Sequence, residues 1–173
     1  MHERPSTARL ALKWGLITAV ALIIFSTLLY TLGQTANSGL TTIIYVIMAA
    51  GLFMGIREYR TLNGGYLSIG EGMGLGTLLA AVSGLISSTY SILYTTFIDP
   101  SVTELIQNQT RAQLEDQGKL TDEQIEQTME VMQKFQSPGL QFMAGVLGAI
   151  FIGAILSLII SAIMRRKNNN PFG

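Results

Sequence analysis

Residues 68–84, SIGEGMGLGTLLAAVSG, carry glycine at positions 70, 72, 74, 76 and 84. Such a density has two physical readings. Glycines can wrap a backbone loop around a phosphate, or they can let two helices approach until their backbones nearly touch. A dinucleotide-binding loop needs G-x-G-x-x-G. The third place is Leu75 after Gly70 and Gly72, Thr77 after Gly72 and Gly74, and Leu79 after Gly74 and Gly76. A Walker loop closes on G-K-[ST], and no lysine occurs between Lys13 and Lys119. The phosphate reading therefore fails. A four-residue step gives another pattern: Gly72, Gly76, Ala80, Gly84 and Ser88 make one line of small residues along a helix. A matching line runs through Gly145, Ala149, Gly153, Ser157 and Ser161, and a shorter one through Gly51 and Gly55. Between helices in lipid the hydrophobic force is weak, and close approach across small residues supplies the contact instead. The two long lines predict that their helices pack together, or pack across a dimer. The candidate helix-packing residues are Gly72, Gly76, Ala80, Gly84, Gly145, Ala149 and Gly153.

The surrounding chain supports a lipid setting. Only 13% of residues are charged and 49% are hydrophobic, against about 25% charged in a soluble domain. Four uncharged runs stand out, at 14–32, 40–56, 73–98 and 139–164. A helix needs about 20 apolar residues to cross the hydrocarbon core, so each predicts a spanning helix. The first run has a basic flank in Arg4, Arg9 and Lys13, as a signal peptide would. It outruns the 7–15-residue apolar core of such peptides, and no clean A-x-A site follows. It is read as a retained span.

Orientation follows from the basic residues. Eight of the eleven lie at the two chain ends or in the 57–72 connection: Arg4, Arg9, Lys13, Arg57, Arg60, Arg165, Arg166 and Lys167. The 99–137 segment holds eight of the eleven acids. Both termini and the 57–72 connection are therefore expected in the cytoplasm, with the acidic segment facing outward. Trp14, Tyr30, Tyr66, Tyr94 and Phe97 fall near span ends, where aromatic rings favour the interface.

Cysteine is absent and the one histidine is His2, in the terminal segment. Thiolate chemistry, disulfides and cysteine-ligated clusters are excluded, and histidine-based chemistry has no foothold. The neutral balance of eleven bases and eleven acids gives no attraction for nucleic acid. The third span is rich in hydroxyls, at Ser83, Ser87, Ser88, Thr89, Ser91, Thr95 and Thr96. No ionisable residue sits mid-span as in proton- or ion-coupled carriers. The hydroxyls are expected to bond back to the preceding turn or to bridge helices. Glu71 falls in a first helical turn, where a carboxylate complements the dipole, and Arg57 or Arg60 is within reach of it in the same connection.

Residues 99–137 read as a helical hairpin. Asp99 or Ser101 opens the first helix, and Gly118 is placed to end it. Thr121 and Gln124 form a capping box, with Leu120 and Ile125 as its hydrophobic staple. Ile125, Met129, Met132 and Phe135 recur on one face. That stripe packs the pair together or onto the membrane surface, or else forms a partner-docking face, since methionine-rich surfaces suit variable partners. Ser137-Pro138 separates it from the last span.

Several motifs together resemble a known family. They are Lys13-Trp14-Gly15, then Gly65-Tyr66-Leu67-Ser68-Ile69-Gly70-Glu71-Gly72, then Tyr94 with Phe97-Ile98-Asp99-Pro100, the Gln- and Glu-rich outer segment, and Ser137-Pro138-Gly139. Their order is similar to that in the four-span membrane proteins common in Bacteroidota, filed as domain of unknown function four-one-nine-nine. The resemblance covers essentially the whole chain. It implies a bacterial inner-membrane location and transfers no catalytic or binding residue.

The sequence thus predicts an all-α, four-span integral membrane protein with an extramembrane helical hairpin between the third and fourth spans. It predicts no enzyme activity and no cofactor. The expected role is interaction or scaffolding, through the hairpin or the helix-packing faces, with the bilayer, another membrane or periplasmic protein, or a second copy. The alternative is a small oligomeric transporter or channel.

Overall fold

The computed structural model describes residues 5–35 and 37–166. His2, Arg4 and Lys167 lie outside the described residues. Among the described residues six α-helices follow in chain order: α1 (Thr7–Thr31), α2 (Ser38–Leu62), α3 (Ile69–Leu93), α4 (Ser101–Asp116), α5 (Asp122–Lys134) and α6 (Pro138–Met164). There is no strand among the described residues; one antiparallel backbone bridge joins Leu67 to Arg166. Among the described residues four helices are long and apolar enough to cross a membrane: α1, α2, α3 with its extension to Ile98, and α6.

The helices outrun the apolar segments that mark them. α2 continues through Arg57, Glu58 and Arg60 to Leu62, so the second connection shrinks to residues 63–68. Nothing in that charged stretch breaks a helix until Asn63 and two glycines. Gly64 and Gly65 take φ of 68° and 85°, a left-handed region that costs other residues strain. α3 then starts on a capping box. Ser68 Oγ accepts from the Glu71 N–H at 3.2 Å, and Glu71 Oε2 accepts from the Ser68 N–H at 2.9 Å. At its other end α3 widens into one π-helical turn, Tyr94–Ile98, closed by the Asp99 N–H donating to Tyr94 O. Ser137 caps α6, with Pro138 at the first helical position, where a missing N–H costs nothing.

α3 is the central helix. It packs on α1, α2 and α6, while α2 also touches α1 and α6, so α1 and α6 stand on opposite sides of the α2–α3 pair. The core is built from Met48, Leu52, Ile56, Leu75 and Leu79, joined by Leu10, Leu67 and Met164 toward one end. The outer faces are apolar as well. Leu12, Leu16, Val20, Ile24 and Leu28 run down the open side of α1 at four-residue steps, and Leu147, Phe151, Ile155, Leu158 and Ile159 are exposed on α6. In water such continuous apolar surface would drive aggregation. Around a membrane bundle it is the face that meets acyl chains.

Two ends can be told apart. Lys13 meets Glu58, and Leu67 meets Arg166, so the start of α1, the α2–α3 connection and the end of α6 share one end, called here the basic end. At the acidic end the α1–α2 connection meets α4, where Gln109 Nε2 donates to Gly33 O at 2.6 Å and Thr35 Oγ1 donates to Gln109 Oε1 at 2.7 Å.

Candidate functional site

The small-residue lines of α3 and α6 face each other within one chain. A methyl group at Gly72 would strike Ser161, and one at Gly76 would strike Ser157. Ala80 fills the space beside Gly153, a methyl at Gly84 would sit 2.7 Å from Ala149 Cβ, and Ser88 occupies the space beside Gly145. Each step of four along α3 is met by a step of four backwards along α6, as two antiparallel helices require. Every rung pairs a glycine with a serine or alanine, so one bare Cα receives one small side chain. The seam extends ~24 Å, from the ~1.5 Å rise over the sixteen residues between Gly72 and Ser88. Gly70 and Gly74, in the same stretch, have nothing near them and take no part. The glycines thus divide between a packed face and an open one.

At the other close approaches a glycine again receives a neighbouring side chain, here of any size. Gly51 of α2 receives Thr18 of α1, Gly55 lies against Leu79 and Trp14, and Gly15 receives Val82. Several hydroxyls of α3 and its extension are spent locally. Ser87 donates to Ser83 O at 2.8 Å, Thr89 to Leu85 O at 2.7 Å and Thr95 to Ser91 O at 3.0 Å. Two pairs bridge α1 and α3: Thr27 with Tyr90 and Tyr30 with Ser91, each at 2.7 Å. Tyr94 stacks beside Tyr30 with ring centroids 5.1 Å apart. A hydroxyl bonded to a carbonyl of its own helix offers little to a passing solute.

The α5 stripe divides. Ile125 and Met129 are 4% and 5% exposed, whereas Phe135 is 60% exposed and Met132 is intermediate. α5 packs on α4, which accounts for the buried half. Val131, off the stripe read from the sequence, is 51% exposed. Thr121 and Gln124 form a capping box, and Gly118 takes φ of 58° as a helix-ending residue does. Polar bonds join the pair. Arg111 meets Glu126, and Gln107 donates to Gln136, whose backbone carbonyl accepts from Gln141 Nε2 at 3.2 Å.

At the basic end the carboxylate that meets a lysine is Glu58. Lys13 Nζ lies 2.8 Å from both of its oxygens, and Trp14 Nε1 donates to Oε2 at 2.6 Å. Arg60 Nε donates to Gly65 O at 3.1 Å, and Tyr59 Oη reaches Glu71 Oε1 at 3.4 Å. The sequence points to Glu71 for the ionic contact of this end, and the structure gives it to Glu58. The signal is positional: Glu58 is the one acid between Arg57 and Arg60. Gln109 was also missed. A lone glutamine in a glutamine-rich segment carries no pattern that marks it.

With this geometry in view, the comparison with known families is informative. The family model described as "Protein of unknown function (DUF4199)" matches residues 13–166. The chain belongs to this family. The matched stretch opens on Lys13, which holds Glu58, and closes on Arg166, which pairs with Leu67. No curated protein and no solved structure matches the chain.

Proposed function

We propose that this DUF4199 protein is a non-enzymatic interaction protein of a bacterial inner membrane. α4 and α5 form a hairpin in the periplasm, and both chain ends stay in the cytoplasm. The charge distribution supports the orientation, because Arg57, Arg60, Arg165 and Arg166 share one end with Lys13 while the acidic residues crowd the other. One observation carries the interaction reading. α5 buries Ile125 and Met129 yet leaves Val131 and Phe135 open, one turn apart on an otherwise polar helix. The seam residues of α3 and α6 are used on each other, which leaves α5 as the outward face for a partner protein.

The test is proximity labelling of the full chain in native membranes, compared with a Val131→Ser/Phe135→Ser double variant. The expected result is a set of labelled neighbours that the variant loses while it still accumulates in the membrane. An unchanged set removes α5 as the docking face. Labelling only of a second tagged copy would make the partner the chain itself. Ion flux in liposomes is expected at background. A reporter fused after Asn170 is expected to be active on the cytoplasmic side alone.

A further inference from the structure

A cleft of about 580 Å³ opens between α2 and α6 at the basic end. Phe53, Arg57 and Arg60 line it from α2, Gly65 from the connection and Ile163 from α6. The α2 residues fall at i, i+4 and i+7, so they share one face. The two arginines stand ~6 and ~10 Å further along the axis than the phenyl ring, from the ~1.5 Å rise per residue. The lower wall is apolar and open, with Phe53 42% and Ile163 79% exposed. The upper rim is cationic. Its nearest acid in sequence, Glu58, is engaged with Lys13 and Trp14. Among the described residues the ion pairs are Lys13–Glu58 and Arg111–Glu126, and neither involves Arg57 or Arg60. Arg60 is also held in place: its Nε is fixed by the Gly65 carbonyl, which leaves the outer guanidinium N–H groups to a ligand. That carbonyl is presented by a backbone φ of 85°, which suits glycine alone. Arg165 and Arg166, both exposed, follow α6 at the same end of the bundle.

We infer that this cleft binds an anionic phospholipid, with the phosphate on Arg57 and Arg60 and an acyl chain along Phe53 and Ile163. Cation above and hydrocarbon below, at the end of helices that span a bilayer, matches the order of groups in a phospholipid. A free phosphate would use the rim and leave the apolar wall unexplained. A zwitterionic headgroup brings its own cation to a site that already has two. The inference rests on the four helices crossing a bilayer and is independent of whether α5 has a partner.

The test uses the purified full chain in mild detergent, with phosphatidylglycerol and phosphatidylcholine of matched acyl chains and with inorganic phosphate. Native mass spectrometry counts retained lipid. Phosphatidylglycerol is expected to be retained about tenfold or more over phosphatidylcholine, two arginines at a membrane surface each contributing a several-fold preference. Arg57→Gln/Arg60→Gln is expected to abolish that preference, and Arg111→Gln, at the other end, to keep it. Equal retention of the two lipids, or a preference that survives the double variant, overturns the inference. So does displacement of bound phosphatidylglycerol by millimolar phosphate, which would make the site a phosphate site. A second measurement leaves the arginines intact. Ile163→Trp in bilayers of brominated lipid is expected to be quenched more by brominated phosphatidylglycerol than by brominated phosphatidylcholine at equal mole fraction. Equal quenching also overturns the inference.

Discussion

The α3–α6 seam and the α4–α5 pair are both contacts between helices, yet they are built from opposite materials. The seam is made of absences: glycine, alanine and serine in register, with no described side-chain hydrogen bond across it. The α4–α5 pair is made of polar additions, an arginine–glutamate pair, linked glutamines and a capping box, around the small apolar contact of Ile125 and Met129. The difference teaches which solvent each region is built for. Where acyl chains surround the helices, burying another leucine gains little, and what remains is the number of atoms brought to contact distance. Where water competes, a few buried apolar groups hold the helices together and polar bonds set their geometry.

The contrast can be broken by experiment. The largest effect is expected at the centre of the seam. Gly76→Val drives a branched side chain into Ser157 and Leu52, and should destabilise the bundle by about 3 kcal/mol, as overpacking does, read as a fall in the thermal midpoint in detergent. Gly74→Val, two residues away on the open face, should stay within about 0.5 kcal/mol. Equal effects would mean that helix propensity, and not the seam, sets the penalty. Next is Met129→Ala, expected to cost about 2 kcal/mol by loss of buried contact. The loss should appear as faster proteolysis within residues 101–134 while the midpoint of the bundle is unchanged. A drop in that midpoint would show that the two regions melt as one unit.

Glu58→Gln weakens the contacts with Lys13 and Trp14. Its side chain is 29% exposed and that of Lys13 is 52% exposed, so the expected cost is only about 1 kcal/mol. Added salt should reduce the difference from wild type, and Trp14 emission should shift as its N–H loses a charged acceptor. The smallest effect is expected from Gln109→Ala, which unties α4 from Gly33 and Thr35. Amide exchange along residues 101–116 should quicken by a few fold, corresponding to less than about 1 kcal/mol.

How much of this is legible in the chain itself depends on range. The four-residue step of small residues can be read directly, because a helix repeats its face locally. That α3 and α6 meet in this register inside one chain, rather than between two, cannot be read so, because nothing local fixes the partner. The turn at Gly118, the capping box at Thr121 and the start at Ser137-Pro138 are legible for the same reason: each cap joins residues within one turn. The capping box at Ser68 is equally local, in the S-x-x-E form, although the crowd of glycines around it masks the signal. The division of the α5 stripe was not legible. Ile125 and Phe135 look alike in the periodicity, and only the placement of α4 decides which of them is covered. Glu58 finds Lys13 across 45 residues, and the reach of α2 past the bilayer-length run depends on charges that a helix tolerates at its solvent end.

The register between α3 and α6 also constrains how such a chain can change. Each residue added or removed within either ladder turns everything beyond it by ~100° and slides it ~1.5 Å. The glycines beyond that point would then meet the wrong neighbours. Exchange of serine for alanine on a rung is a mild change by comparison. For this pair of helices the spacing between small residues is held more tightly than their identity, and tolerated length changes should come near whole turns.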